Sequence, residues 1–193
     1  MRTLHLEKKG LRGLAIAESF RANSKKSILC GIVMRQDFII DGIVFGNATI
    51  KGDDVTEKIL QMFDELDRPD VNYILISGLI LSLYNIVDIK KIHETLKIPV
   101  VGLTYKNSSG IEDSIKYHFP QSFDFKMKNY SNLGIRKKIM INKTSEAYVR
   151  FEGCTLREVQ YLLKKLTLSG AIPEPIKVAK LLANSLLKKG LSL

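Results

Sequence analysis

Apolar positions in the first fifty residues come in short β-branched runs rather than at helical spacing. Leu11 to Ala17, Ile28 to Arg35 and Phe38 to Ile50 therefore read as strands, the last interrupted by turn or bulge chemistry at Asp41-Gly42 and Gly46-Asn47. Their links are short, which predicts an antiparallel meander. At Asp53-Asp54-Val55-Thr56 the period becomes helical: Ile59, Leu60, Met62, Phe63 and Leu66 form one stripe, ended by Arg68-Pro69. Val71 to Ile76 is then a continuous apolar run of strand length that breaks at Ser77-Gly78. A loop from Ser77 to Asn85, a helix from about Val87 to Leu96, a strand from Ile98 to Tyr105 and a helix near Ile111 to Phe119 complete a βαβα order.

The remainder predicts a hairpin, Lys137 to Asn142 with Ala147 to Phe151, followed by two helices. Thr155-Leu156-Arg157-Glu158 has the spacing of a capping box. Ile172-Pro173-Glu174-Pro175 starts the last helix sharply, and Ile176, Ala179, Leu182, Ala183 and Leu186 lie on one face as core rather than as a membrane or cofactor face. Three antiparallel strands followed by helix-linked parallel strands are the order of a ribonuclease H-like mixed sheet, here with flanking helices and a C-terminal hairpin plus two helices. Periodicity alone also permits other mixed α/β folds.

A chain of 193 residues suits one domain able to bury its core without a disulfide or metal staple, and neither an internal repeat nor a low-complexity linker divides residues 1–193. There is no long uncharged apolar run, and Met1 to Lys9 lacks the apolar centre of a signal peptide, so the expectation is a cytoplasmic protein without a membrane partner. The two cysteines, Cys30 and Cys154, and the three histidines, His5, His93 and His118, have no metal-ligand spacing, and no zinc site is expected. The formal charge of +10 suits a nucleic-acid partner through counterion release, but the basic residues come in scattered pairs such as Lys90-Lys91 and Arg136-Lys137-Lys138. A solvated lysine-rich surface gives the same count.

Candidate chemistry is confined to a few positions. Asp53 and Asp54 open a helix, where a carboxylate caps backbone N–H groups more commonly than it binds metal, and Asp88 stands at a second helix start. Tyr84-Asn85 has the residue types to stack on a base and hydrogen-bond its edge, against the commoner roles of packing and loop capping. Arg35 and Lys106 end strands and are candidate phosphate contacts, with ordinary surface charge as the alternative. Gly-x-Ser-x-Gly is absent and no histidine is placed near Ser77, which argues against a serine hydrolase.

Gly31-Ile32-Val33-Met34-Arg35, Gly52-Asp53-Asp54-Val55-Thr56, Tyr84-Asn85-Ile86-Val87-Asp88, Ile98-Pro99-Val100 and Ile172-Pro173-Glu174-Pro175-Ile176-Lys177-Val178-Ala179 occur in an order that resembles an uncharacterised, mainly archaeal family, domain of unknown function ninety-nine, related to endonuclease V. The resemblance implies a ribonuclease H-like fold and a site where acidic residues on the first strand, near the first helix and at the end of the fourth strand hold divalent metal. This chain departs from it at two degenerate ligand positions. It has Ala15-Ile16-Ala17 where the relatives carry an aspartate, and Ser77-Gly78 where they carry Asp-Gly. Asp54 is the best match to a remaining carboxylate, and Glu18, next to Ala17, points to the opposite face of an unbent strand.

Two function classes follow, with no cofactor expected for the first. One is a nucleic-acid-binding protein on a nuclease scaffold that lacks metal-dependent cleavage. The other is a magnesium-dependent endonuclease with a rearranged set, Glu18, Asp54 and Asp88. A structural or oligomeric module is a third reading, for which the sequence offers no separate partner motif.

Overall fold

A computed structural model describes residues 6–21, 23–107 and 110–190. The residues up to His5, part of the segment read against a signal peptide, lie outside these. The meander forms as β1 (Arg12–Ser19), β2 (Lys26–Arg35) and β3 (Ile40–Thr49), with β1 antiparallel to β2 and β2 antiparallel to β3. Helix α1 (Val55–Leu66) returns the chain to β4 (Val71–Ser77), which pairs parallel to β1 with Ile16 opposite Ile76. The segment read as a plain loop contains a small two-stranded ribbon, β5 (Ile80–Leu81) with β6 (Asn85–Ile86). Helix α2 (Ile89–Leu96) then leads to β7 (Val100–Thr104), parallel to β4.

Beyond β7 come α3 (Glu112–His118), a 3-10 turn at Pro120–Ser122, and α4 (Phe123–Asn132). The hairpin β8 (Lys137–Met140) with β9 (Glu146–Glu152) joins the main sheet through antiparallel pairing of β9 to β7. Helices α5 (Leu156–Lys165) and α6 (Glu174–Lys188) close the chain, and both bonds of the Thr155–Glu158 capping box are made. The seven-stranded order is β3-β2-β1-β4-β7-β9-β8, the mixed sheet expected from the sequence. Among the described residues no helix is long and apolar enough to cross a membrane.

The sheet is covered on both faces. On one, Leu14, Ile16, Ile74 and Ile76 pack against Ile59 and Met62 of α1 and Ile92 of α2. On the other, Tyr73, Leu75, Val101 and Val149 pack against Val159, Leu162 and Leu163 of α5, while Ala179 and Ala183 of α6 lie on Ala17, Cys30 and Ile32. Helix α4 has no counterpart in the apolar pattern, because the one side chain it fully buries is Lys126. Cys30 is fully enclosed, and burial pushes its thiol up to about 12, so it packs as a small apolar residue.

Candidate functional site

Because β1, β4 and β7 run parallel, their carboxyl ends meet along one edge, the usual ligand edge of an open α/β sheet. One residue beyond the Ile16–Ile76 pairing, Ala17 and Ser77 stand side by side on the α6 face. Ala17 is 1% exposed beneath Ala179 and Ala183. Ser77 is half-buried and lines an open groove of about 500 Å³ with Tyr105, Ile176, Lys177 and Lys180. Two hydrogen bonds clasp α6 to the end of β1: Lys180 Nζ donates to the Glu18 carbonyl, and the Ser19 hydroxyl donates to Asn184 Oδ1 at 2.6 Å.

Glu18 points to the other face, as strand alternation requires, and is 8% exposed. Its carboxylate accepts the Ser82 backbone N–H at 2.8 and 3.0 Å and the Ser82 hydroxyl at 2.8 Å, and that hydroxyl lies 2.6 Å from Ser27 Oγ. The need for such bracing is local. Ser82, Leu83 and Tyr84 have φ of 46°, 56° and 73°, three successive side-chain-bearing residues in the left-handed region, each strained.

Asp54 stands at the N-cap position of α1, yet its side chain makes no capping bond, which corrects the cap reading. It accepts instead from the Thr49 hydroxyl at 2.7 Å, the Thr49 backbone N–H at 3.0 Å and Asn85 Nδ2 at 2.7 Å. The fully buried Asn85 takes over the cap, its Oδ1 accepting the Val55 N–H at 3.1 Å. Burial alone would raise the Asp54 pKa, but the bonds from Thr49 and Asn85 outweigh it and hold the carboxyl below its ordinary range. Asp88 does cap its helix, accepting the Lys91 N–H at 2.9 Å.

The same ribbon is held by a charge that the sequence did not reveal. Lys126 is 1% exposed and donates to Asp53 Oδ1 at 2.7 Å and to the carbonyls of Gly52 and Tyr84 at 3.1 Å each, with its ammonium 4.6 Å from the Phe119 ring centre. The Tyr84 ring packs against His118 and Phe119. Tyr84 and Asn85 are thus committed to internal contacts, contrary to the base-contact reading. Arg35 is misplaced for the site: it pairs with Asp37 and lies opposite Arg12, at the amino end of β1.

The metal set implied by the endonuclease V resemblance does not fit these residues. Glu18, Asp54 and Asp88 each end on separate protein donors, and among the described residues no three His, Cys, Asp or Glu side chains converge as metal ligands. Magnesium needs several oxygens in near-octahedral array, and a two-metal cleavage site needs carboxylates between two ions.

The opposite face of the same edge carries different chemistry. Gly78, in the left-handed region with φ of 88°, turns the chain away from β4, and a Cβ at Gly102 would sit 2.3 Å from Leu79. These glycines leave a cavity of about 240 Å³ lined by Lys106, Arg136 and Arg150 together with Tyr130 and Tyr148. Arg136 lies 5.6 Å from the Tyr148 ring centre and Arg150 5.3 Å from that of Tyr130, distances at which cation–π attraction holds both groups. Lys106 alone of the candidate binding residues falls in this cavity.

Residues 9–187 match the family model described as Endonuclease dU. The chain belongs to this family. Similar proteins include UPF0215 proteins from Pyrobaculum calidifontis, 28% identical over 89% of this chain and 94% of that protein, and from Methanocaldococcus jannaschii, 29% identical over 87% and 89%. A protein of unknown function from Archaeoglobus fulgidus has a similar structure, with a TM-score of 0.79 at 23% identity over 91% of this chain and 98% of that one. Endonuclease V from Ciona intestinalis, solved with a 24mer DNA containing an inosine, aligns with a TM-score of 0.63 at 16% identity over 94% and 87%. Endonuclease V from Streptomyces avermitilis gives 0.65 at 11% over 95% and 85%. The likeness to endonuclease V shows the ribonuclease H-like fold.

Proposed function

We propose that this chain binds nucleic acid across the carboxyl edge of its sheet and receives an unstacked base in the cavity bounded by Tyr130, Tyr148, Arg136, Arg150 and Lys106. That cavity carries the reading. It is the place where three cations and two aromatic rings converge at the ligand edge of the sheet, and it combines the two contacts that single strands need, phosphate neutralisation and a stacking surface. The family description, Endonuclease dU, and the inosine-containing DNA bound by the Ciona endonuclease V both favour a deaminated base, here deoxyuridine, as the feature sought. An enzyme or binder that reads a base must take it out of the stack, which costs least where pairing is already weak.

Fluorescence anisotropy of labelled oligonucleotides tests this, with single strands that carry dU, dT or dC at one position titrated over a potassium chloride series. Binding should be measurable at low salt and fall with log salt. Arg136→Ala with Arg150→Ala should weaken it at least tenfold, on the scale of two lost charge contacts, while Tyr130→Ala should reduce the preference for dU. No association at the lowest salt overturns the proposal.

A second reading, cleavage of such DNA, is favoured by the family description. It requires Glu18, Asp54 and Asp88 to leave their present donors and gather around magnesium. A magnesium-dependent nick at dU that disappears in Glu18→Gln and Asp54→Asn would establish it. Intact strands under the same conditions would leave binding as the activity.

A further inference from the structure

We infer that the ammonium of Lys180, with the hydroxyl of Ser77, forms a subsite for one phosphodiester of the bound strand, so that a lysine supplies positive charge at the edge where the resemblance calls for a metal. This deepens the function proposed above and rests on it for the identity of the ligand.

The groove of about 500 Å³ on the α6 face contains two lysines in different states. Lys177 is committed, with Nζ 2.5 Å from Glu174 Oε1 and 3.0 Å from the Ser169 carbonyl. Lys180 is exposed, and its one hydrogen bond among the described residues runs to the neutral main-chain oxygen of Glu18. An ammonium has three N–H donors, so this bond fixes its position and leaves two for a ligand. Among the described residues no carboxylate pairs with it: that of Glu174, on the same helix, is paired with Lys177, and that of Glu18 is turned to the opposite face and held by Ser82. Ala17 adds no charge beside Ser77, whose hydroxyl makes no hydrogen bond with the described residues. The rest of the wall, Ile172, Ile176 and Leu181, is apolar. A fixed, unneutralised cation beside a free hydroxyl on an apolar wall suits a phosphate monoanion with a sugar against it. It does not suit a metal cation.

Continuity with the other cavity identifies the phosphate as part of a strand. Ser77 lines one groove and Gly78, the next residue, lines the other, so the two sites meet at the end of β4 from opposite faces. A chain crossing that end can leave a base on the Gly78 side and a phosphate on the Ser77 side.

Two measurements separate this inference from the reading it rests on. In the anisotropy series, Lys180→Gln should weaken binding to all sequences about equally and reduce the salt slope by about 1, leaving the dU preference intact, whereas Lys188→Gln farther along α6 should change neither. A Lys180→Gln protein that folds, binds and keeps the full slope overturns the subsite. Independently of nucleic acid, ¹H–¹⁵N spectra titrated with inorganic phosphate and with dUMP should move the Ser77 and Lys180 amides in the parent and not in Lys180→Gln. If neither anion moves them the subsite is refuted. If both do while no oligonucleotide binds, the anion site stands and the strand assignment fails.

Discussion

Replacement of Ala17 by aspartate asks whether this edge is a vacated metal site, and the structure sets the size of the answer. Ala17 is 1% exposed, in a cluster formed by Ile28, Cys30, Ile32 and Met34 of β2 and Ala179 and Ala183 of α6. A carboxylate there has no cation in the cluster to pair with, and a buried unpaired charge costs about 3–5 kcal/mol. The added volume beneath two close-packed alanines costs roughly 1–3 kcal/mol more unless α6 shifts. For a chain of this size each kcal/mol lowers Tm by about 2–4 °C, so Ala17→Asp should lose on the order of 10 °C or more by circular dichroism. Ser77→Asp opens onto the groove that Lys180 lines and should change Tm by no more than a few degrees.

The double variant is the informative one. It sets two carboxylates on neighbouring strands of one face, where the single ammonium of Lys180 offsets only one of them and a divalent cation between them relieves the remaining repulsion. If these are former ligand positions, manganese at about 100 times its Kd should return about 2.7 kcal/mol, roughly 5–10 °C, to Ala17→Asp/Ser77→Asp. The parent and each single variant should respond little. An equal metal response in parent and double variant would refute the vacated-site reasoning, and an unperturbed Tm in Ala17→Asp would refute the enclosure on which the magnitude rests. Cleavage need not return with metal, since Glu18 and Asp54 remain occupied with Ser82 and Thr49.

Two further tests concern the supports of the ribbon. Lys126→Met removes a buried ammonium from Asp53 and strands the carbonyls of Gly52 and Tyr84, and should cost about 2–4 kcal/mol, read as a lower urea midpoint at unchanged m with faster amide exchange across residues 80–86. The Asp54 carboxyl titrates below its unfolded value near 3.9, so its contribution is present above that pH and is lost as pH falls through the folded pKa. Asp54→Asn should therefore be less stable than the parent at pH 7 and have a flatter acid limb below about pH 4, and parallel limbs would show that the Thr49 and Asn85 bonds do not favour the ionised form.

Among the described residues the seven strands of the main sheet were legible as short apolar runs, and five of the six helices because each buries one apolar face whose period survives in the sequence, as with Ile59 and Met62 in α1 or Ala179 and Ala183 in α6; the short β5–β6 ribbon was not. Helix α4 was not, since Phe123–Asn132 turns a lysine inward and leaves Phe125 exposed, which inverts the usual pattern. The site was legible only as a place: the break at Ser77-Gly78 located the carboxyl edge, but not the partners that come to it from 50 to 100 residues away. Arg136 and Arg150 resembled any other surface charges until the pairing of β9 to β7 brought them beside Lys106.

The acidic candidates failed for a related reason. Residue type at a strand or helix end cannot distinguish a metal ligand from a carboxylate that anchors a strained loop, because both need a short acidic side chain beside turning backbone. Here three left-handed residues, Ser82 to Tyr84, create the demand. Glu18 meets it from β1, Asp54 from the start of α1 through Asn85, and Lys126 from α4. Those ties hold in place the loop that follows Gly78, whose Leu79 and Ile80 wall the basic cavity. The carboxylates of Glu18, Asp53 and Asp54 therefore act on the proposed nucleic-acid site through the shape of that loop, and the positive charge in that proposed site comes from Arg136, Arg150, Lys106 and Lys180.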